Sequence, residues 1–151
     1  MKNVFDAKDA QEYINRINNL TPETQRKWGK MSVDQVLAHL NVAYDLTFTP
    51  EKFPKPSFIA KFLLSKFVKP KITNEIPYKP SLPTSPAFII ADERNFEEEK
   101  AKLIGNIQRV QQLGREAFEG KENINFGKMT AQGWNNMFAK HLNHHLDQFG
   151  V

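Results

Sequence analysis

Apolar residues recur at helical spacing in four stretches of this chain. In the first, Tyr13, Ile14, Ile17 and Leu20 fall on one side of a 3.6-residue period, with Asp6 placed as an N-cap. That predicts a helix from about Ala7 to Asn19. Thr21-Pro22-Glu23 reads as a fresh cap with proline in the first helical position, starting a short helix that ends near Gly29. The second long helix starts after Ser32, where Gln35 can complete a capping box. Its apolar stripe is Val33, Val36, Leu37, Leu40 and Tyr44, and it should reach about Phe48 before Pro50. The third begins near Asp92 or Glu93, buries Phe96, Leu103, Ile104, Ile107 and Val110, and stops at Gly114. Its early glutamates, Glu93, Glu97, Glu98 and Glu99, suit the positive end of the helix dipole better than a metal. The fourth follows Thr130, after a turn containing Gly120 and Gly127, and runs to about Phe149.

Between the second and third helices the pattern breaks. Residues 50–91 hold eight of the nine prolines, and Pro77, Pro80, Pro83 and Pro86 recur at every third position, which forbids helix and suits an extended strap. One short helix, Ser57 to Val68, interrupts it and carries three phenylalanines. Its broad apolar arc is expected to pack over the mouth of the helices or into a subunit interface, in preference to a membrane surface. Ile72, Ile76, Tyr78, Leu82, Phe88, Ile89 and Ile90 are too apolar for water, so the strap should wrap the helices and help line a site. A crossover of about forty residues also lets the second and third helices run parallel. The fold class is therefore all-α, one domain over residues 1–151.

Composition narrows the function. With no cysteine, the chain has no disulfide, no thiolate metal site and no cysteine nucleophile. From Lys52 to Lys79 there are seven lysines against the single Glu75, but no arginine-rich or aromatic motif accompanies them. The expectation is a solvated lysine surface with no specific nucleic-acid partner. No stretch approaches the ~20 apolar residues of a membrane span. The start, Met1 to Asp6, lacks the apolar run of a signal peptide, so a cytoplasmic location is expected.

Candidate chemistry lies in the histidines. Three of four sit between Lys140 and Gln148, and His141 and His145 share a face with Trp134, Phe138, Leu142 and Phe149. His144 falls near the edge of that stripe. The fourth, His39, lies at the margin of the second helix's stripe, where it can lean toward a neighbour. A buried polar group without a partner costs about 1–3 kcal/mol, and one ion would satisfy several imidazoles at once. Three nitrogens from two helices leave a coordination position open, the layout of a catalytic zinc-type site. Two core histidines bonded to carbonyls or carboxylates are the other reading of the same spacing. Metalloprotease chemistry is excluded, because Leu142 stands where its glutamate would follow the first histidine. Tyr44, Asp45 and Gln148 follow candidate ligands on their helices, yet read as structural, and no general base is identified.

The run His141-Leu142-Asn143-His144-His145-Leu146-Asp147-Gln148, with a lone His39 after a Trp28-containing entry, resembles the DinB-like (YfiT-like) superfamily over nearly the whole chain. The tail from Trp134 to His141 resembles a small branch known only as a domain of unknown function. This resemblance implies a four-helix bundle with up-down-down-up topology and a metal held by His39, His141 and His145, with His144 non-ligating. It implies a divalent ion, zinc or nickel foremost, and a low-molecular-weight thiol in a metal-dependent transferase or isomerase of small molecules. A metal-hydroxide hydrolase and a non-enzymatic metal-binding or interaction module are the alternatives. Bundles of this kind commonly form homodimers, which is the expectation for assembly.

Overall fold

The computed structural model describes residues 1–82 and 84–151, so the part of the proline strap read at Pro83 lies outside the described residues. The chain is mostly helical with a small two-stranded sheet. Its helices are α1 (Ala7–Asn18), α2 (Val33–Phe48), α3 (Phe58–Leu63), α4 (Lys69–Thr73), α5 (Phe96–Leu113) and α6 (Ala131–Gln148). The four long ones start where their caps place them. Asp6 accepts from the backbone N–H of Lys8 and Asp9, Gln35 Oε1 accepts from Ser32 N–H, and Thr130 Oγ1 accepts from Gly133 N–H.

Helix α5 packs against α1 and α2, and α6 packs against the same two. The core between them contains Tyr13, Ile17, Leu37, Leu40, Leu103, Ile107, Trp134 and Leu142, each fully buried. Each such aliphatic or aromatic side chain contributes about 1.5–3 kcal/mol relative to exposure. The Tyr44 ring stacks on Phe138 at 4.7 Å, and Phe118 meets Trp134 edge-on at 5.6 Å. One polar seam joins α2 to α5. Asn41 Nδ2 donates to the carbonyl and carboxylate of Glu99, and Asn106 Nδ2 donates to Asn41 Oδ1.

Five details depart from the sequence reading. Helix α2 is not striped but buried on nearly every side, with the whole run Val36–Tyr44 inside, so His39 is a core residue and not a marginal one. Thr21 to Gly29 forms turns, not a helix. Thr24 Oγ1 accepts from Thr21 N–H there, and Lys27 N–H donates to the Gln148 carbonyl, so backbone donors a helix would use are spent elsewhere. Helix α5 begins later than Asp92 or Glu93, because Asn95 provides the cap by accepting from Glu98 N–H. The turn before α6 is a hairpin, Glu122–Asn123 paired antiparallel with Gly127–Lys128. Finally, α3 continues through a π-helical turn (Leu64–Val68) into α4 instead of stopping at Val68.

The crossover covers α2 only in part. Ile72, Tyr78, Phe88 and Ile90 are half-buried, whereas Ile76, Leu82 and Ile89 face solvent. Of the two placements expected for the 57–68 helix, packing of its aromatic arc over the mouth of the helices is not what the chain does, since Phe58, Ile59, Phe62, Leu63 and Phe67 are all exposed. Attachment is instead made at the end of α4. Asn136 donates to the Thr73 carbonyl, and one turn on, Lys140 Nζ donates to the carbonyls of Lys71 and Asn74 and to Asn74 Oδ1. All three ammonium donors are thereby used. Buried Lys140 is a fastener for the crossover, and burial depresses its pKa.

Candidate metal centre

Two backbones bring three imidazoles together. His141 and His145 lie one turn apart on α6, and His39 faces them from the buried α2. Their ring centroids form a nearly even triangle with sides of 4.9, 4.5 and 5.0 Å. The Nε2 atoms of His39 and His141 are 2.9 Å apart, and one nitrogen from each of the three rings lies within 4.8 Å of the others. Around a tetrahedral ion with bonds of about 2.0–2.1 Å, the nitrogens would stand about 3.3 Å apart. Small ring rotations separate these extremes from that figure.

The rings are oriented from behind. His39 Nδ1 donates to the Phe88 carbonyl at 2.8 Å, and His145 Nδ1 donates to Gln148 Oε1 at 2.8 Å. Gln148 Nε2 donates in turn to the Trp28 carbonyl at 2.8 Å, which fixes the carboxamide with its oxygen toward His145. Protons held on Nδ1 leave the Nε2 lone pairs of His39 and His145 facing the triangle. This is how ligating histidines are ordinarily supported.

Electrostatics point the same way. Desolvation pushes the His145 pKa down to about 3, with the nearby His39 adding to the effect and the Gln148 bond opposing it. Desolvation, followed by repulsion from His39, His145 and His144, holds His141 well below the usual range. His39 is lowered by burial against the opposing pull of the Phe88 carbonyl. All three are therefore neutral near pH 7, the state in which imidazole donates to a metal. The donor set fits a divalent ion, and these three histidines can hold one.

The other candidates are placed elsewhere. His144 is half-buried on the outer side, edge-on to Tyr78 at 5.7 Å and tilted to Trp28 at 6.1 Å. Tyr44 is locked in the core, where burial raises its pKa beyond the ordinary tyrosine range. Asp45 pairs with Lys102 at 2.7 Å. Gln148 alone of the three belongs to the site, as the support of His145. Phe88 and Trp28 contribute through backbone carbonyls, which no side-chain pattern announces.

A cavity of about 610 Å³ opens beside His145, walled by Trp28, Met31, Phe88, Ile90 and His144 among others, with no carboxylate among its described walls. A smaller one, about 260 Å³, lies across His144 against Tyr78, Lys140 and Asp147. Trp28 borders both, and its indole N–H is buried without an acceptor among the described residues.

No curated protein and no solved structure matches the chain. One family profile does, described as "Protein of unknown function (DUF1569)", over residues 2–150. That match takes in both histidine-bearing helices and the crossover between them, and the chain belongs to the DUF1569 family.

Proposed function

We propose that this chain is a divalent-metal protein of the DinB-like kind, holding zinc or nickel through His39, His141 and His145 and acting with a low-molecular-weight thiol to transfer or rearrange a small organic substrate. One observation carries the reading: three neutral imidazoles converge beside a cavity large enough for such a substrate, two of them held from behind by oxygen acceptors. In the same reading α1, α2, α5 and α6 form the up-down-down-up bundle, with the 49–95 crossover joining parallel helices.

When bound, the ion would supply Lewis acidity toward a thiol or oxygen. The protein's own part follows from the geometry. The Phe88 carbonyl and Gln148 hold the ligand rings in register, and Trp28, Met31 and Ile90 keep the neighbouring space apolar. A cysteine-free chain must take its thiol from outside. Besides the ligand His145, the described cavity wall has only His144 and Lys30 as titratable groups, so His144 is the group there able to take a proton from a bound thiol. The lack of a carboxylate base counts against a metal-hydroxide hydrolase. It also keeps a non-catalytic metal-binding module as the second reading.

The test begins with metal analysis of protein purified without a histidine tag. Cobalt-substituted protein is then titrated with bacterial low-molecular-weight thiols. A sulfur-to-metal charge-transfer band that is absent in His145→Ala supports the proposal. Stoichiometric metal with no thiol band and no turnover of electrophiles or esters would favour the binding module.

A further inference from the structure

We infer that the outward face of α3 and its π-helical turn is a docking surface for an anionic phospholipid bilayer. The segment is amphipathic the wrong way round for a helix of the core. Ala60, Lys61, Leu64, Ser65 and Val68 face the protein and are half-buried, while Phe58, Ile59, Phe62, Leu63 and Phe67 face solvent. The exposure is large, 87% for Phe58 and 70% for Ile59. The same face accounts for five of the ten large apolar side chains exposed among the described residues, so the patch is a concentration and not a scatter. The π turn keeps it continuous. Its hydrogen bonds run between residues five apart, which aligns Phe62 with Phe67, and Lys66 Nζ lies 5.9 and 5.5 Å from their ring centroids.

Charge selects the occupant. Of the seven lysines between Lys52 and Lys79, Lys61 is paired with Glu122 and Lys69 is spent on the carbonyls of Phe126 and Lys128. Lys52, Lys55, Lys66, Lys71 and Lys79 are exposed, with no ion pair among the described residues. An isologous contact with a second copy through the Phe62 and Phe67 rings would bring the Lys66 charges of both copies into the same contact. A bilayer with anionic headgroups receives both features, the aromatic wedge below the headgroups and, at their level, the Lys66 ammonium that lies beside the Phe62 and Phe67 rings. The segment lies in the plane of the interface, being far too short to span. This inference stands apart from the metal reading, since none of its residues supports a histidine.

The experiment is co-sedimentation of the full-length protein with phosphatidylcholine vesicles, with and without phosphatidylserine. Binding is expected only to the phosphatidylserine vesicles, and it should fall as salt is raised. Phe58→Ser combined with Phe62→Ser should abolish it, and Lys66→Ala and Lys71→Ala should each weaken it about fivefold. These side chains are exposed, so circular dichroism should be unchanged. Phe62→Trp provides a second readout, a blue shift of its emission on the same vesicles. No binding to anionic vesicles, or equal binding to both kinds, overturns the inference. So does a dimer in light scattering that Phe62→Ser dissociates in a protein that ignores vesicles, which would assign the face to a second copy.

Discussion

The Gln148 side chain spans two elements that sequence separates by more than a hundred positions. It accepts the Nδ1 proton of His145 at 2.8 Å and donates to the Trp28 carbonyl at the same distance. One carboxamide thus sets the tautomer and the aim of a candidate ligand, and references both to the loop that enters α2. The loop itself is pinned by Lys27 N–H donating to the Gln148 carbonyl. A shift of the loop is a shift of the ring.

Replacing Gln148 should therefore weaken metal binding without touching a ligand. Gln148→Leu removes both bonds and is expected to lower affinity about 10–100-fold, the usual effect of losing an outer partner of a ligating histidine. Gln148→Glu keeps an acceptor for His145 and should lose less. Competition against a chromophoric chelator measures both, and wild-type affinity in Gln148→Leu would contradict the role given to the carboxamide.

Gly29 offers an independent handle on the same contact. Its φ is +82°, and a Cβ there would stand 2.5 Å from Gln148 Nε2. An L side chain in that conformation costs roughly 1–2 kcal/mol of backbone energy, and the carboxamide must also move off the Trp28 carbonyl. Gly29→Ala should then reproduce the metal defect of Gln148→Leu, and the double variant should be little worse than either. Additive losses of affinity would show that the two residues act separately.

In the metal-free protein, the buried histidines should make stability depend on pH. Their folded pKa values lie below the unfolded value near 6.5, with His145 down at about 3. Below about pH 6.5 the unfolded chain binds protons that the folded one refuses, so stability must fall with pH. Each histidine in its window contributes a slope of about 1.4 kcal/mol per pH unit, and none contributes above about pH 7.5. For His145 the window runs from about 6.5 to about 3. Urea titrations between about pH 7.5 and 5.5, where carboxylates contribute little, should show this slope, and His145→Leu should reduce it. Burial also revises the competition between metal and protons. Its onset, near pH 6.5 for free imidazole, should be displaced downward.

Phe138 tests the core behind the site. Its ring stacks on Tyr44 and Trp134 and meets Phe118 edge-on, joining α2, α6 and the turn after α5. Phe138→Ala should cost about 3–5 kcal/mol in chemical denaturation of the metal-free protein. A cost under about 1 kcal/mol would mean that the cavity collapses without loss.

Local chemistry was legible in the sequence wherever a feature is repeated or capped. The four long helices follow from periodicity and from Asp6, Ser32, Gly114 and Thr130, and the shared face of His141 and His145 follows from spacing, whereas His39 joins them in the sequence only through the DinB-like resemblance. What escaped depends on tertiary contacts. The segment from Thr21 to Gly29 has a helix-starting signature but bonds its backbone to the end of α6. His39 reads as marginal because a wheel cannot show that Phe88, 49 positions away, closes over it. The hairpin rests on strands of two residues, too short for an alternating pattern to register. The aromatic face of α3 reads as a packing surface, over the helices or in a subunit interface, because apolar periodicity carries no information about which side is covered.

The histidines themselves give the sharpest contrast. His141→Ala and His145→Ala each remove a nitrogen from α6 and should abolish stoichiometric metal, while His39→Ala removes the α2 ligand and should weaken binding strongly. His144→Ala should leave metal content nearly unchanged, because that ring faces Tyr78 and Trp28 outside the triangle. It should lower turnover all the same, if His144 is the proton acceptor on the cavity wall. Metal analysis of untagged protein, with thermal melts to verify folding, separates these outcomes. Equal metal loss in His144→Ala and His145→Ala would place the ion on the outer face of α6. Retention of metal in all four variants would return the triangle to a set of hydrogen-bonded core histidines.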